Sequence, residues 1–269
     1  LNEHMLMKQK VNYDRVYTQW RNLENNLLYQ GVKINYIKPQ KKLVDMVFAA
    51  NGAIVYNNKA IVSNYNAIPR KKESKYYSNF FVVNGYDTYE MKTEFEGAGD
   101  GLFSHCRTHL WLGYGFRSNK DSKTEIEDIV SDHNLEIHTL KLINPLWYHL
   151  DTCFCPFGVD RLMLYEKAFD KDSLRKIYNV FEEDKCIKVS DEDAENFACN
   201  SISIPNNILI GHSYTPELKK KFRDIDYRGI ETLMSEFLLS GGSTKCCVLD
   251  VQRYRDDEIE NQIQICYGP

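Results

Sequence analysis

Four short segments carry side chains whose types and spacing can do chemistry. Gly241-Gly242-Ser243-Thr244-Lys245-Cys246-Cys247 ends on two thiols beside a cation, and a nearby positive charge is one environment that converts a thiol into a nucleophilic thiolate. His149-Leu150-Asp151-Thr152-Cys153-Phe154-Cys155 sets an acid/base imidazole next but one to a carboxylate. As a strand, this segment puts His149, Asp151, Cys153 and Cys155 on one face. Phe95-Glu96-Gly97-Ala98-Gly99-Asp100-Gly101 places two carboxylates around a glycine-rich bend, where missing side chains let backbone and ligand approach closely. Phe48-Ala49-Ala50-Asn51 ends an apolar run in an amide, and Arg70 and Arg117 are forked donors able to grip a carboxylate at two points. Together these are the parts of covalent catalysis: a thiol, a proton shuttle with a carboxylate beside it, and fixed groups for a polar substrate.

Each part also has a plainer reading. A histidine near an aspartate is often a satisfied structural residue, and a single arginine usually pairs with a surface carboxylate. Cys153 and Cys155 with His149 suggest a metal, but zinc spacing is usually C-x2-4-C, so a buried strand interior accounts for alternate cysteines better. No metal is expected. The GxG of 97–99 lacks the lysine of a phosphate-binding loop. Adjacent strand residues face opposite ways, so only one of Cys246 and Cys247 can face a shared site, and buried structural thiols are the plainer reading of both.

The elements that must position these residues recur. The runs starting at Phe48, Phe95, His149, Asn196 and Gly241 repeat a short apolar stretch with small or polar residues at its end, roughly every 45 to 55 residues. In the first four, two β-prone segments flank a turn such as Asn57-Asn58, Pro156-Phe157-Gly158 or Pro205-Asn206-Asn207. Val16, Trp20, Leu23 and Leu27 fall on one helical face before a stop at Gly31, and Leu174, Ile177 and Phe181 do so later; 122–130 and 216–222 are weaker helices. The unit is strand, strand, helix, strand, repeated about five times, which implies radial closure of an α/β fold as one domain, 1–269.

Composition narrows the partners. The 269 residues are 43% hydrophobic and 27% charged, with no apolar run near the ~20 residues of a membrane span. A net charge of -4 offers no basic field for nucleic acid. Eight cysteines scattered through a chain with no secretory leader suit a reduced, cytoplasmic protein. The chain starts at Leu1 without a methionine, which leaves open a missing start or a cleaved leader.

In this order and spacing, FAAN, FEGAGD, GYGFR, HLDTCFCP and GGSTKC resemble the guanidino-group modifying superfamily, the penteins, and within it the arginine dihydrolase branch near the dimethylargininase-like proteins. The resemblance extends over nearly the whole chain. It implies a five-bladed α/β propeller of ββαβ units around a central active-site cavity. It further implies Cys246 as nucleophile, His149 as general acid/base, Glu96 as the carboxylate orienting it, Asp151 as guanidinium ligand, and Arg70 and Arg117 on the substrate α-carboxylate. Asp100, Asp45 and Asn2 follow as further substrate contacts. Related chains carry another strand upstream of Leu1-Asn2, so the first blade is expected to be incomplete.

Deiminases and dimethylargininases usually carry Asp where this chain has Asn51, whereas dihydrolases carry Asn. The implied activity is therefore hydrolysis of arginine to ornithine, carbon dioxide and two ammonia molecules, without cofactor, on a small-molecule substrate. A homo-oligomer is compatible with the sequence. The alternatives are single-step hydrolysis of arginine or a methylated arginine to citrulline, amidino transfer, and a non-catalytic binding protein on the same fold.

Overall fold

Local side-chain chemistry starts most of the helices. The Asn12 side chain accepts from the Arg15 N–H and caps the helix Tyr13–Tyr29, whose Trp20, Leu23 and Leu27 are buried; Gly31, at a φ of 78°, follows its end. Asp170 caps Lys171–Val180 in the same way, and Thr215 with Pro216 opens Pro216–Asp224. Ser122–Val130 is helical as its spacing predicts. The helix Ser74–Val83 is rich in aromatic and β-branched residues, so periodicity does not single it out. Tyr77 and Phe81, one turn apart and both fully buried, hold it to the core.

The computed structural model describes residues 10–104, 106–251, 253–255, 258–260 and 262–266. Asn2 lies outside them. Among the described residues, hairpin Ala53–Tyr56/Lys59–Val62 is followed by helix Ser74–Val83 and by strand Asp87–Glu90, which returns parallel to Lys59–Val62. The same order recurs in Gly101–Phe103, His109–Tyr114 and Glu136–Lys141, then in Phe154–Phe157, Arg161–Leu164 and Cys186–Lys188, and again in Ile202–Ile204, Ile208–Gly211 and Arg228–Glu231. A fifth three-stranded sheet draws on both ends of the chain: Val248–Asp250 runs antiparallel to Gln262–Cys266, which runs parallel to Lys33–Ile37. Its Lys33–Ile37 strand is preceded by the helix Tyr13–Tyr29. Arg253–Arg255 and Glu258–Glu260 form a separate hairpin. The fold is α/β, and no helix among the described residues is long and apolar enough to cross a membrane.

Neighbouring sheets pack through aromatic side chains. Trp111, Phe154 and Phe181 meet at ring distances of 5.4 to 6.3 Å between the second and third sheets, each buried ring being worth roughly 1.5–3 kcal/mol.

One local expectation is corrected. Residues 149–152 are not strand: Leu150–Thr152 is a single 3-10 turn, and the strand begins at Phe154. The Leu150 N–H is bound by the Asp100 carboxylate (3.0 Å) and the Thr152 hydroxyl bonds the His149 carbonyl (2.7 Å), so side chains take the bonds a sheet would need. Cys153 and Cys155 are buried thiols that donate to backbone carbonyls of Leu150 and Ser201.

Candidate active site

The imidazole and the thiol line one cavity. Its walls include Asp45, Phe48, Asn51, Arg70, Arg117, Tyr148, His149 and Cys246, and Gly241 and Gly242 close it. At about 30 Å³ it has room for a water or two. A larger cavity, about 150 Å³, shares no lining residue with it and holds neither group. Chemistry rather than size selects the smaller one.

His149 is held from beneath. Its Nε2 lies 2.8 Å from Glu96 Oε2, with both residues buried. Burial alone would raise the Glu96 carboxyl, but the hydrogen bond and charge of His149 and the guanidinium charges of Arg117 and Arg70 outweigh it and hold it at about 2. The bend that delivers Glu96 depends on glycine. Gly97 has a φ of 53°, and a Cβ there would sit 2.7 Å from the Ala53 nitrogen.

Cys246 sits in the turn before Val248–Asp250 and is 3% exposed. Its Sγ donates to Asp151 Oδ2 (3.3 Å) and accepts from Asn200 Nδ2 (3.1 Å), while its N–H donates to Asn200 Oδ1 (3.1 Å). Burial, then the Asp151 charge, pushes the thiol well up. Lys245 does not offset this: its ammonium turns to the Val248 carbonyl, correcting the expectation that it activates the thiol. Asp151 is fully buried, its carboxyl raised by burial, and its Oδ1 has no partner among the described residues.

Asn51 stands in the 3-10 turn Ala49–Gly52. Arg70 Nη1 donates to its Oδ1 (2.7 Å), which fixes the amide orientation, and its buried Nδ2 has no partner among the described residues. Gly99 makes space for that amide, since a Cβ there would lie 2.1 Å from Nδ2.

The expected substrate-gripping groups divide. Arg117 lies 3.6 Å from Glu96 Oε2, with its guanidinium 4.8 Å from the centre of the Tyr148 ring, and borders the cavity. Arg70 also borders it but is committed to protein: Nε and Nη2 bind Glu73, and Nη2 also reaches the Asp45 and Phe48 carbonyls. Through Nη1 it braces the Asn51 amide. Asp100 does not line the cavity. It accepts from Ser118 (2.6 Å) and from the Leu150 N–H, with its carboxyl raised by burial to about 6. These bonds tie Ser118 and the Leu150 N–H to one carboxylate. Asp45 borders the cavity, and Asn2 lies outside the described residues.

Sequence reasoning did not single out Asn200, Ser118 or Tyr148. Asn200 is fully buried and ties the thiol turn to the Asp151 carbonyl. Ser118 joins the Glu96 N–H to Asp100, and the Tyr148 hydroxyl donates to the Gly241 carbonyl (2.6 Å). A polar Asn200-Ser201 pair breaking the apolar run 196–214 was the available signal for the first.

A family model described as N,N dimethylarginine dimethylhydrolase, eukaryotic, matches residues 2–253. The bifunctional arginine dihydrolase/ornithine cyclodeaminase AgrE of Nostoc sp. is 35% identical over 258 residues, which is 95% of this chain and 36% of that protein. The bifunctional ArgZ of Synechocystis sp. is 37% identical over 244 residues, 90% and 34% respectively. The chain thus spans about a third of the length of these two relatives. The N-terminal domain of an ArgZ variant, solved covalently bonded to a reaction intermediate, superposes with a TM-score of 0.90 at 36% identity, covering 94% of this chain and 92% of that one.

Proposed function

On the premise that this chain belongs to the N,N-dimethylarginine dimethylhydrolase family, we propose that it hydrolyses arginine twice at one thiol, to ornithine, carbon dioxide and two ammonia molecules. The observation that carries this reading is the unpartnered Asn51 Nδ2, oriented by Arg70 in the cavity that His149 and Cys246 share. The two relatives named arginine dihydrolases agree with it. The five sheets of one strand order are read as the blades of a five-bladed α/β propeller, a single domain with this cavity at its centre.

A guanidinium carbon is a poor electrophile, so it must be fixed against carboxylate and met by a thiolate. Asp151, with one oxygen unpartnered among the described residues beside Cys246, supplies the carboxylate. Burial, with the Asp151 charge, keeps the thiol protonated. An entering guanidinium brings the positive charge that favours the thiolate. The Cys246 proton passes to His149, whose imidazolium the ionised Glu96 stabilises. Sulfur attacks the guanidinium carbon, His149 returns the proton to the departing ammonia, and a thiouronium remains on Cys246. His149 then deprotonates water, hydroxide adds, and the carbon–sulfur bond breaks to give citrulline.

Citrulline presents a neutral ureido group whose carbonyl oxygen accepts hydrogen bonds. Asn51 can donate to it where an aspartate only accepts, and a second round of attack, ammonia loss and hydrolysis leaves a carbamate that decomposes to carbon dioxide and ornithine. Arg117 is the remaining cation for the substrate α-carboxylate, and Asp45 faces the α-amino end. Incubating the chain with arginine and identifying products by mass spectrometry tests the reading. Ornithine with two ammonia molecules is expected, and no turnover refutes it. Citrulline as sole end product would favour the second reading, a single-step hydrolase, which the name of the matching family model supports.

A further inference from the structure

The strands His109–Tyr114 and Glu136–Lys141 run parallel, with His109 opposite Glu136 and Trp111 opposite His138. Alternation puts these four side chains on one face of the sheet. His109 Nδ1 lies 3.0 Å from His138 Nε2, and a single carboxylate oxygen, Glu136 Oε2, lies 3.7 Å from each nitrogen. None of the three borders the arginine cavity.

A histidine pair sharing one proton accounts for the 3.0 Å separation. It does not account for an oxygen equally distant from both nitrogens and too far to hydrogen-bond to either. The triangle formed by the three atoms does: its centre lies about 2.0 Å from every corner, so a cation roughly half an ångström above its plane keeps zinc–imidazole and zinc–carboxylate bond lengths and leaves its outer side open. The Trp111 ring stacks on the His138 ring at 4.3 Å and 19°, and this contact fixes the orientation of one ligand. The two histidine side chains are 23% and 18% exposed and Glu136 is 68% exposed, so a cation can enter from solvent.

We propose that His109, Glu136 and His138 form a site for a divalent transition-metal cation, zinc foremost, separate from the arginine cavity and joining two strands of the second sheet. Two imidazoles and one carboxylate leave the fourth tetrahedral position to water. Two strands supply the ligands, which explains why no short cysteine–histidine motif announces the site. Its position, bridging a strand pair, makes it a clamp on that sheet.

The test is calorimetric titration of the full chain with Zn²⁺, with Trp111 emission and the thermal midpoint followed in parallel. His109→Gln, His138→Gln and Glu136→Gln are titrated alongside, with a Cys106→Ser/Cys246→Ser control for zinc held by the exposed and active-site thiols. One equivalent is expected to bind to the wild type and the thiol control and to raise their midpoints, and each ligand variant should weaken that binding about tenfold or more. Glu136 is on the surface, so Glu136→Gln keeps the fold and keeps the test decisive. Wild-type affinity in all three ligand variants, or loss of all binding in the thiol control, would overturn the proposal.

Discussion

Asn51→Asp is expected to separate the two hydrolytic rounds proposed for this chain. In the first round the substrate carries a cation, and a carboxylate beside Arg70 remains compatible with it: Arg70 Nη1, 2.7 Å from Oδ1, has an acceptor in either residue. In the second round the incoming ureido oxygen meets an amide N–H in the wild type and a carboxylate oxygen in the variant. Removing one preorganised donor to an oxygen that gains charge costs about 2.7–4 kcal/mol, or 10²–10³ in kcat. With citrulline as substrate, ornithine formation is therefore expected to fall about 100-fold or more. With arginine, consumption should fall less than about tenfold and citrulline should accumulate, since the step it feeds has lost its donor. Liquid chromatography with mass spectrometry reads citrulline and ornithine from both starting points. Ornithine production from citrulline within about threefold of wild type would refute the role given to Nδ2, whatever became of arginine turnover.

Cys246→Ser should reduce turnover of both substrates below detection, whereas Cys247→Ser, which alters a fully buried thiol in the core, should leave kcat within a few-fold; stopped ammonia assays of the two variants compare them, and the reverse pattern moves the nucleophile by one position. Gly99→Ala places a Cβ 2.1 Å from Asn51 Nδ2, so it should shift products toward citrulline as Asn51→Asp does, and unchanged product ratios would show that the amide has room elsewhere. Asp100 gives a pH signature. Its carboxyl is raised in the fold from 3.8 to about 6, so the folded chain holds that proton more tightly than the unfolded one, and stability falls as pH climbs through this window. The full cost of about 3 kcal/mol is in place above pH 6. Asp100→Asn lacks this dependence, and its stability relative to wild type should rise by about that amount between pH 4 and pH 7 in urea titrations, while parallel pH curves would exclude a buried ionised Asp100.

The legible parts of the molecule were those governed by local rules. Helix spacing placed Trp20, Leu23 and Leu27 on a buried face, and Asn206 and Asn207, both at left-handed φ, make the turn their types imply. The glycines of 97–101 signalled close approach, and Gly97 and Gly99 are where a Cβ would collide. Long-range bonds were not legible. Nothing adjacent in sequence shows that Arg70 reaches back 19 positions to Asn51, or that Asn200 reaches 46 positions along the chain to Cys246. The strand expected at 149–155 failed for the same reason: apolar alternation was present, but Asp100, fifty residues away, binds the Leu150 N–H and turns the backbone.

The thiol shows most clearly why neighbours in sequence mislead about charge. Lys245 precedes Cys246, yet its ammonium is bound to the Val248 carbonyl, and the group that meets the sulfur is the carboxylate of Asp151. A buried thiol facing a buried carboxylate keeps its proton. On the proposed mechanism the thiol should therefore be slow toward passing electrophiles, and its activation calls for a cation that binds Asp151 while its carbon lies over the sulfur. Arginine carries that cation on its reacting group. On this logic a neutral alkylating reagent should modify Cys246 slowly, and a guanidinium-bearing one of similar intrinsic reactivity faster, with the difference lost in Asp151→Asn.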